Sequence, residues 1–252
     1  MSRISWKQIN KAVEAIEAGG TEDGVFRSAI EQLALLVPFA HGAATPNMNL
    51  KEIRQRVGRP NDRMITRNAP PGYWESYIRY YEALDPSQYE EHYLKHAGVV
   101  TVDRACMYGT EFGHDFLKPY GVRHVLCLNN LSLGDGRGFC IGMYRDSTPF
   151  SEKEVDAASA LFPHIHNLSL MAADRGELRT AKALSAAAAA GLSPREQEVA
   201  VLLAQRMSIR EIADRLFISR HTVEKHMQHI YLKLNAGGKS DVRRQLLGEM
   251  DD

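Results

Sequence analysis

The densest set of chemistry-bearing side chains lies between Leu216 and Leu234, in LFISRHTVEKHMQHIYLKL. Val223, Met227, Ile230 and Leu234 recur at helical spacing, which predicts one apolar seam turned inward. The other side then presents Arg220, His221, Glu224, Lys225 and Gln228. A helix is narrow enough to enter the major groove of a duplex, where Arg, Lys and Gln can address base edges and phosphates. Any solvated helix of a small bundle also carries charge outside, so the neighbouring elements must decide between the two.

Other constellations carry less chemistry. His92 and His96 stand four apart on an expected helix, a spacing that suits two ligands of one metal, but no third ligand follows nearby. His164 and His166 are two apart in a helix interrupted by Pro163. The sequence shows no nucleophile elbow, no supported carboxylate pair and no cofactor fingerprint, so neither an enzyme, a cofactor nor a metal is expected. The cysteines, Cys106, Cys127 and Cys140, match no disulfide framework or zinc motif. Cys127 and Cys140 fall in apolar, strand-like runs and read as buried free thiols, with redox sensing as the other reading.

The elements around the charged helix argue for a nucleic-acid reader. Ser193 and Glu196 form a capping box with Pro194 at the first helical position, and Ser208 and Glu211 form a second. Ser219 offers an N-cap to the third helix. Val199, Leu202, Leu203, Ile212, Ala213 and Leu216 complete a small core, with Ala213 letting the second and third helices approach. A short helix, a tight FIS connection and the charged helix make a helix-turn-helix. From Gly191 to Leu247 there are ten Lys and Arg against six Asp and Glu, a modest basic excess in a chain of net charge +0.

LSPREQEV, IREIADRLFIS, HTVEKHMQHIYLKL and KSDV closely resemble, in order and spacing, the LuxR-type DNA-binding domain of bacterial transcription regulators. The resemblance implies that Lys225 and Gln228 touch DNA, with Glu224 beside them and Thr222 and His226 near the backbone. It also implies that the last helix, Lys239 to Leu247, serves dimerisation. Three positions depart from the family. Arg206 stands where a Gly is usual, and a positive φ there would cost about 1 kcal/mol, which a phosphate contact by Arg206 would offset. Glu224 is acidic where many relatives are not, and could accept from a cytosine amino group or orient Arg220 and Lys225. NAGGKS replaces a more basic connection.

A second cluster lies in GYWESYIRYYEALDPSQY, where Trp74, Tyr77, Tyr80, Tyr81 and Tyr89 surround Asp85. Aromatic walls with one polar anchor suit a small-molecule site. The same residues could instead form a core, with Asp85 capping the helix after Pro86. This stretch resembles the ligand-contacting segment of autoinducer-binding sensor domains, related in shape to GAF and PAS sensors. By that resemblance Tyr81 and Asp85-Pro86 fit, and Trp74 and Tyr77 fit after a one-residue shift. No tryptophan follows Trp74, so one aromatic wall of the acyl-homoserine-lactone receptors is missing. EFGHDFLKPYGVRHVLCL and DGRGFCIGMYR resemble the later helix, strands and hairpin of that domain. No receiver pattern or phosphate-binding Gly-rich loop is present.

These readings set the organisation. The 252 residues, 44% hydrophobic and 25% charged, suit about two globular domains. An amphipathic start (Ile4, Ile9, Val13, Ile16) replaces a signal peptide, and no apolar run approaches a membrane span, so a cytoplasmic protein is expected. GVFRSAIEQLALLVPF spaces Val25, Phe26, Ala29, Ile30, Leu33 and Val37 for a buried helix that Pro38 ends. HVLCLNNLSL and GFCIGMYR read as antiparallel strands joined through Asp135-Gly136. Ser151 and Glu154 open a helix carrying Val155, Ala158, Leu161 and Phe162 on one face, with a kink expected at Pro163. The fold class is α+β: an α-β-α sandwich sensor over residues 1–173, a linker over 174–190, and an all-α helix-turn-helix domain over 191–252. The alanine run before Gly191 could continue a helix or act as a tether.

The function expected is a transcription regulator of LuxR type, acting as a homodimer on near-palindromic duplex DNA. Its sensor domain would answer a small-molecule effector, an acyl-homoserine lactone or another. RNA polymerase is a further expected partner, and no membrane is. The alternative is a constitutive DNA-binding regulator whose N-terminal domain is a dimerisation scaffold without ligand.

Overall fold

The computed structural model describes residues 5–48, 64–86, 97–130 and 138–248. The chain divides into two compact units, Met1–Ala173 and Asp174–Asp252.

The first unit is built on a five-stranded antiparallel sheet in the order β2-β1-β5-β4-β3. Its strands are β1 (His41–Met48), β2 (Ile65–Arg67), β3 (Gly98–Asp103), β4 (His124–Asn130) and β5 (Gly138–Arg145). The expected pairing of the two apolar runs is β4 with β5, from His124 opposite Arg145 to Asn130 opposite Phe139. The turn expected at Asp135-Gly136 lies outside the described residues. Period-2 alternation divides the side chains between two faces. Leu126, Leu128, Phe139, Ile141 and Met143 share a core with helices α1 (Trp6–Glu17), α2 (Glu22–Leu36) and the first part of α4 (Glu152–Ala189).

Each helix on that face follows its sequence pattern. Ser5 and Gln8 form a capping box for α1, which buries Ile9, Ala12 and Ile16. Thr21 caps α2, whose Val25, Phe26, Ala29, Ile30 and Leu33 are buried before the chain turns at Pro38. Ser151 and Glu154 exchange hydrogen bonds at the start of α4, where Ala158 and Leu161 are buried and Val155 and Phe162 pack beside them. Arg145, at the end of β5, grips the Glu154 carboxylate with two nitrogens at 2.8 and 2.9 Å. That hydrogen bond leads in holding the Glu154 carboxyl down to about 2. The helix runs on through Pro163, an exposed position where water can serve the carbonyl left without a donor.

The opposite face carries an aromatic cluster rather than an aliphatic layer. It is formed by α3 (Tyr73–Arg79), a 3-10 turn at Tyr81–Leu84, a second at Arg104–Met107 and a π-helical segment at Phe112–Leu117. Gly113 makes this possible, because a Cβ there would lie 1.8 Å from the Met107 carbonyl oxygen.

Residues 174–190, expected as a linker, are helical to Ala189, and Ala183 and Ala187 are buried in the core of the second unit. The alanine run therefore continues a helix. Gly191, with φ of 72°, turns the chain out of it. Then follow α5 (Pro194–Ala204), α6 (Ile209–Leu216), α7 (Arg220–Leu234) and α8 (Lys239–Leu247). Both expected capping boxes form, Ser193 with Glu196 and Ser208 with Glu211, and Ser219 accepts the Thr222 amide. Val199, Leu202, Leu203, Ile212, Ala213, Val223, Met227, Ile230, Leu234 and Val242 close one core.

Candidate nucleic-acid interface and ligand site

In α7 the apolar seam is buried and the polar residues face away from it. Arg220, His221, Glu224, Lys225 and Gln228 are exposed, while Thr222 and His226 are half-buried. Thr222 is engaged at the helix start, its hydroxyl 2.8 Å from that of Ser219. His221 Nδ1 lies 3.9 Å from Glu224 Oε2, so the acidic side chain leans toward the histidine one turn back. The α6–α7 connection is closed by Phe217, which adopts φ of 53° and is 94% exposed, and by the Ile218 amide donating to the Ala213 carbonyl at 3.0 Å. Arg206 has φ of 65°, the left-handed conformation expected of a residue in a glycine's place.

A second carboxylate orders this unit in a way the capping pattern did not disclose. Glu196, 6% exposed, receives the Ser193 amide at 2.7 Å and Lys233 Nζ at 2.7 Å, with His229 Nδ1 at 3.7 Å. Lys233 and His229 belong to α7, so one side chain caps α5 and holds α7 against it. The Lys233 hydrogen bond leads in drawing the Glu196 carboxyl down to about 2. Arg195 adds a tie to α6 by donating to the Leu216 carbonyl at 2.9 Å.

On the aromatic face, the structure brings together Trp74, Tyr77 and Asp85 and sets Tyr81 beside them. Tyr77 donates its hydroxyl to Asp85 Oδ2 at 2.9 Å, and the Trp74 and Tyr77 rings meet at 5.8 Å. Tyr81 packs on Phe116 at 4.8 Å. Tyr80 points outward, 55% exposed, donating to Glu111 at 2.6 Å. Tyr89 lies outside the described residues.

Four residues of this cluster escaped the sequence reading. Arg104 Nη1 reaches Asp85 Oδ2 at 3.1 Å, with both side chains buried, so Asp85 anchors a polar network inside the domain. Tyr73 is buried at the centre, edge-on to both Trp74 and His41 at 4.7 Å. Tyr144 flanks His41 at 5.2 Å. Burial drives the His41 imidazole down to about 4, so it is neutral at pH 7. His41 Nε2 and Trp74 Nε1 are buried without a hydrogen-bond partner among the described residues. A pocket of about 200 Å³, lined by Leu84, Pro86, Met107, Thr110, Glu111 and Phe112, opens beside the cluster and is lined by none of the four expected ligand residues.

Among the described residues, no group of three or more His, Cys, Asp or Glu is placed to hold a metal. His92 and His96 lie outside them. His166 Nδ1 is engaged by the Asn130 amide at 2.6 Å. No helix among the described residues is long and apolar enough to cross a membrane.

The arrangement of the second unit agrees with what comparison finds. Residues 190–245 match the model of the bacterial regulatory proteins of the luxR family. The spore germination protein GerE of Bacillus subtilis is 42% identical over 62 residues, 24% of this chain and 84% of GerE. The chain belongs to the LuxR family of bacterial regulatory proteins. The oxygen regulatory protein NreC of Staphylococcus carnosus is 45% identical over 51 residues, which is 20% of this LuxR-family chain and 24% of NreC. Against other curated relatives the chain spans as little as 5% of their length. A crystal structure of Escherichia coli SdiA aligns with 18% identity, covering 98% of this LuxR-family chain and 99% of SdiA, at a TM-score of 0.45.

Proposed function

We propose that this LuxR-family transcription regulator reads duplex DNA with α7 and acts as a homodimer on near-palindromic sites. The observation that carries the reading is the division of α7: four apolar residues buried, Arg220, His221, Glu224, Lys225 and Gln228 outward, and α6 joined to it by a tight turn. Arg220, Lys225 and Gln228 would meet base edges or phosphates, His221, Thr222 and His226 the backbone, and Glu224 a cytosine amino group. Two such helices about a two-fold axis would span one turn of duplex, roughly 34 Å. Action in the cytoplasm, with RNA polymerase as a further partner, belongs to the same proposal. Selection of the full-length protein on random duplexes tests it: paired, inverted half-sites at that spacing are expected, and enrichment of unpaired sites would refute the dimer.

For the first unit we infer a small-molecule effector held on the aromatic face by Trp74, Tyr77, Tyr81 and Asp85. The buried nitrogens of Trp74 and His41 that lack a partner among the described residues support it, since each leaves a hydrogen bond for a guest to make. One observation favours the alternative of a ligand-free scaffold. The Asp85 carboxylate is already met by Tyr77 and Arg104, which leaves less of it for the polar head of an acyl-homoserine lactone. Mass spectrometry of the purified protein separates the readings, because a retained small molecule at stoichiometric level is expected only of a sensor.

A further inference from the structure

Two thiols meet on the aromatic face of the sheet. In the β4–β5 register Cys127 stands opposite Gly142, and Cys140 stands opposite Asn129. The cysteines are therefore diagonal neighbours on adjacent strands, pointing to the same face as Val125 and Tyr144. Both are half-buried. Gly142 leaves the space between them without a side chain, and the Tyr144 phenol folds into it: a Cβ on Gly142 would lie 2.4 Å from the Tyr144 hydroxyl. A hydrogen bond between the thiols holds Cys127 below the ordinary thiol range and pushes Cys140 well above it, and the charge of Arg104 also favours the Cys127 thiolate.

The spacing decides what such a pair can do. Diagonal neighbours have Cα atoms about 7–8 Å apart, whereas a disulfide needs them no more than about 7 Å apart. A direct S–S bond would therefore sit at the limit of its usual reach. A bridging atom with bonds of about 2.3 Å to each sulfur, the length of a zinc–thiolate bond, closes the same gap without strand movement. Thiolates are soft ligands and select soft acceptors such as Cu(I).

We propose that Cys127 and Cys140 form a two-thiolate site for a soft, thiophilic centre, either Cu(I) or a trivalent arsenical. With an arsenical of the type R–As=O, both S–H bonds break and two As–S bonds form. The two protons leave with the oxygen as one water, and no oxidation state changes. With Cu(I), the two protons go to solvent as the Cu–S bonds form. An occupant would displace the Tyr144 phenol from between the thiols and lie near Arg104, inside the same cluster that holds Trp74 and Asp85.

The test uses the full-length protein kept reduced by a monothiol and titrated with phenylarsine oxide. Intact-mass measurement should show one adduct that excess monothiol leaves in place and a small dithiol removes. Cys127→Ser and Cys140→Ser should each lose that adduct, and Cys106→Ser should keep it. In a second arm the reduced protein should take one Cu(I) from a chromogenic chelator, with at least a tenfold weaker competition in either serine variant. Binding in one arm alone would name the source. Peptide mapping of the wild-type adduct needs no variant, and an arsenical found away from Cys127 and Cys140 would overturn the proposal. So would capacity for neither probe, or a Cys127–Cys140 disulfide formed quantitatively by diamide in the native protein, since the diagonal would then close unaided.

Discussion

Lys233 Nζ stands 2.7 Å from Glu196 Oε2, so the carboxylate that caps α5 also fixes the far end of α7. The Glu196 side chain is 6% exposed and that of Lys233 42%, which places this pair between the weak surface bridges and the strongly coupled buried ones. Glu196→Gln keeps an oxygen for the Ser193 amide and removes the charge that Lys233 meets. The expected loss is about 1–2 kcal/mol in unfolding free energy, the lower part of the roughly 1.5–3 kcal/mol of a hydrogen bond to a charged group, because solvent screens the half-exposed Lys233. The folded carboxyl titrates at about 2, below its ordinary 4.5, so its contribution is fully present above about 4.5 and is lost as pH falls toward 2. Urea midpoints at a series of pH values should therefore separate wild type from Glu196→Gln at neutral pH and converge in acid. A gap that persists unchanged to pH 2 would contradict the ion-pair account.

Arg104 and Asp85 form the most enclosed ion pair named above, with side chains 10% and 3% exposed. Removing only the cation leaves a carboxylate in an aromatic interior. Arg104→Met should cost about 3–5 kcal/mol, the usual loss on breaking a buried pair. Arg104→Met combined with Asp85→Asn should recover a large part of it. Chemical denaturation of the four proteins of this cycle gives the coupling directly, and additive losses would show that the two residues act independently.

The legible parts of this molecule were those governed by a short period or a local exchange. The α7 seam and the split of β4 and β5 into two faces repeat every three to four or every two residues, and the Ser–Glu caps close over three. The illegible parts join distant positions through a single contact. Arg104 lies 19 residues after Asp85, and Lys233 lies 37 after Glu196, with nothing in the intervening composition to announce either pairing. Asp85 was singled out for its aromatic neighbours, yet which of those neighbours it serves depended on where β3 delivers Arg104. The alanine run had two readings because alanine is both the best helix former and the least informative core residue. Burial of Ala183 and Ala187 decides it.

The outward face of α7 makes separable predictions for DNA. Lys225→Ala and Gln228→Ala should each weaken specific binding by about 1–3 kcal/mol. A lysine that meets phosphate weakens all sequences alike and lowers the salt slope by about one unit, whereas a glutamine at a base edge relaxes preference at one position. Footprints and salt titrations on the selected site distinguish the two. Unchanged footprints for both variants would remove α7 from the interface.

Arg206 holds a positive φ of 65° at the end of α5, where its amide donates to the Leu203 carbonyl at 3.0 Å. For a residue with a Cβ this conformation costs about 1 kcal/mol relative to glycine. Arg206→Gly should therefore stabilise the second unit by about 0.5–1 kcal/mol, with part of the relief offset by the greater freedom of glycine in the unfolded chain. If the guanidinium also meets a phosphate, the same variant lowers the salt dependence of DNA binding while leaving base preference intact. Thermal unfolding and a salt titration of this one variant read both effects. A drop in stability would mean that the side chain's own interactions outweigh the backbone strain, and the conformation would then be no burden to the fold.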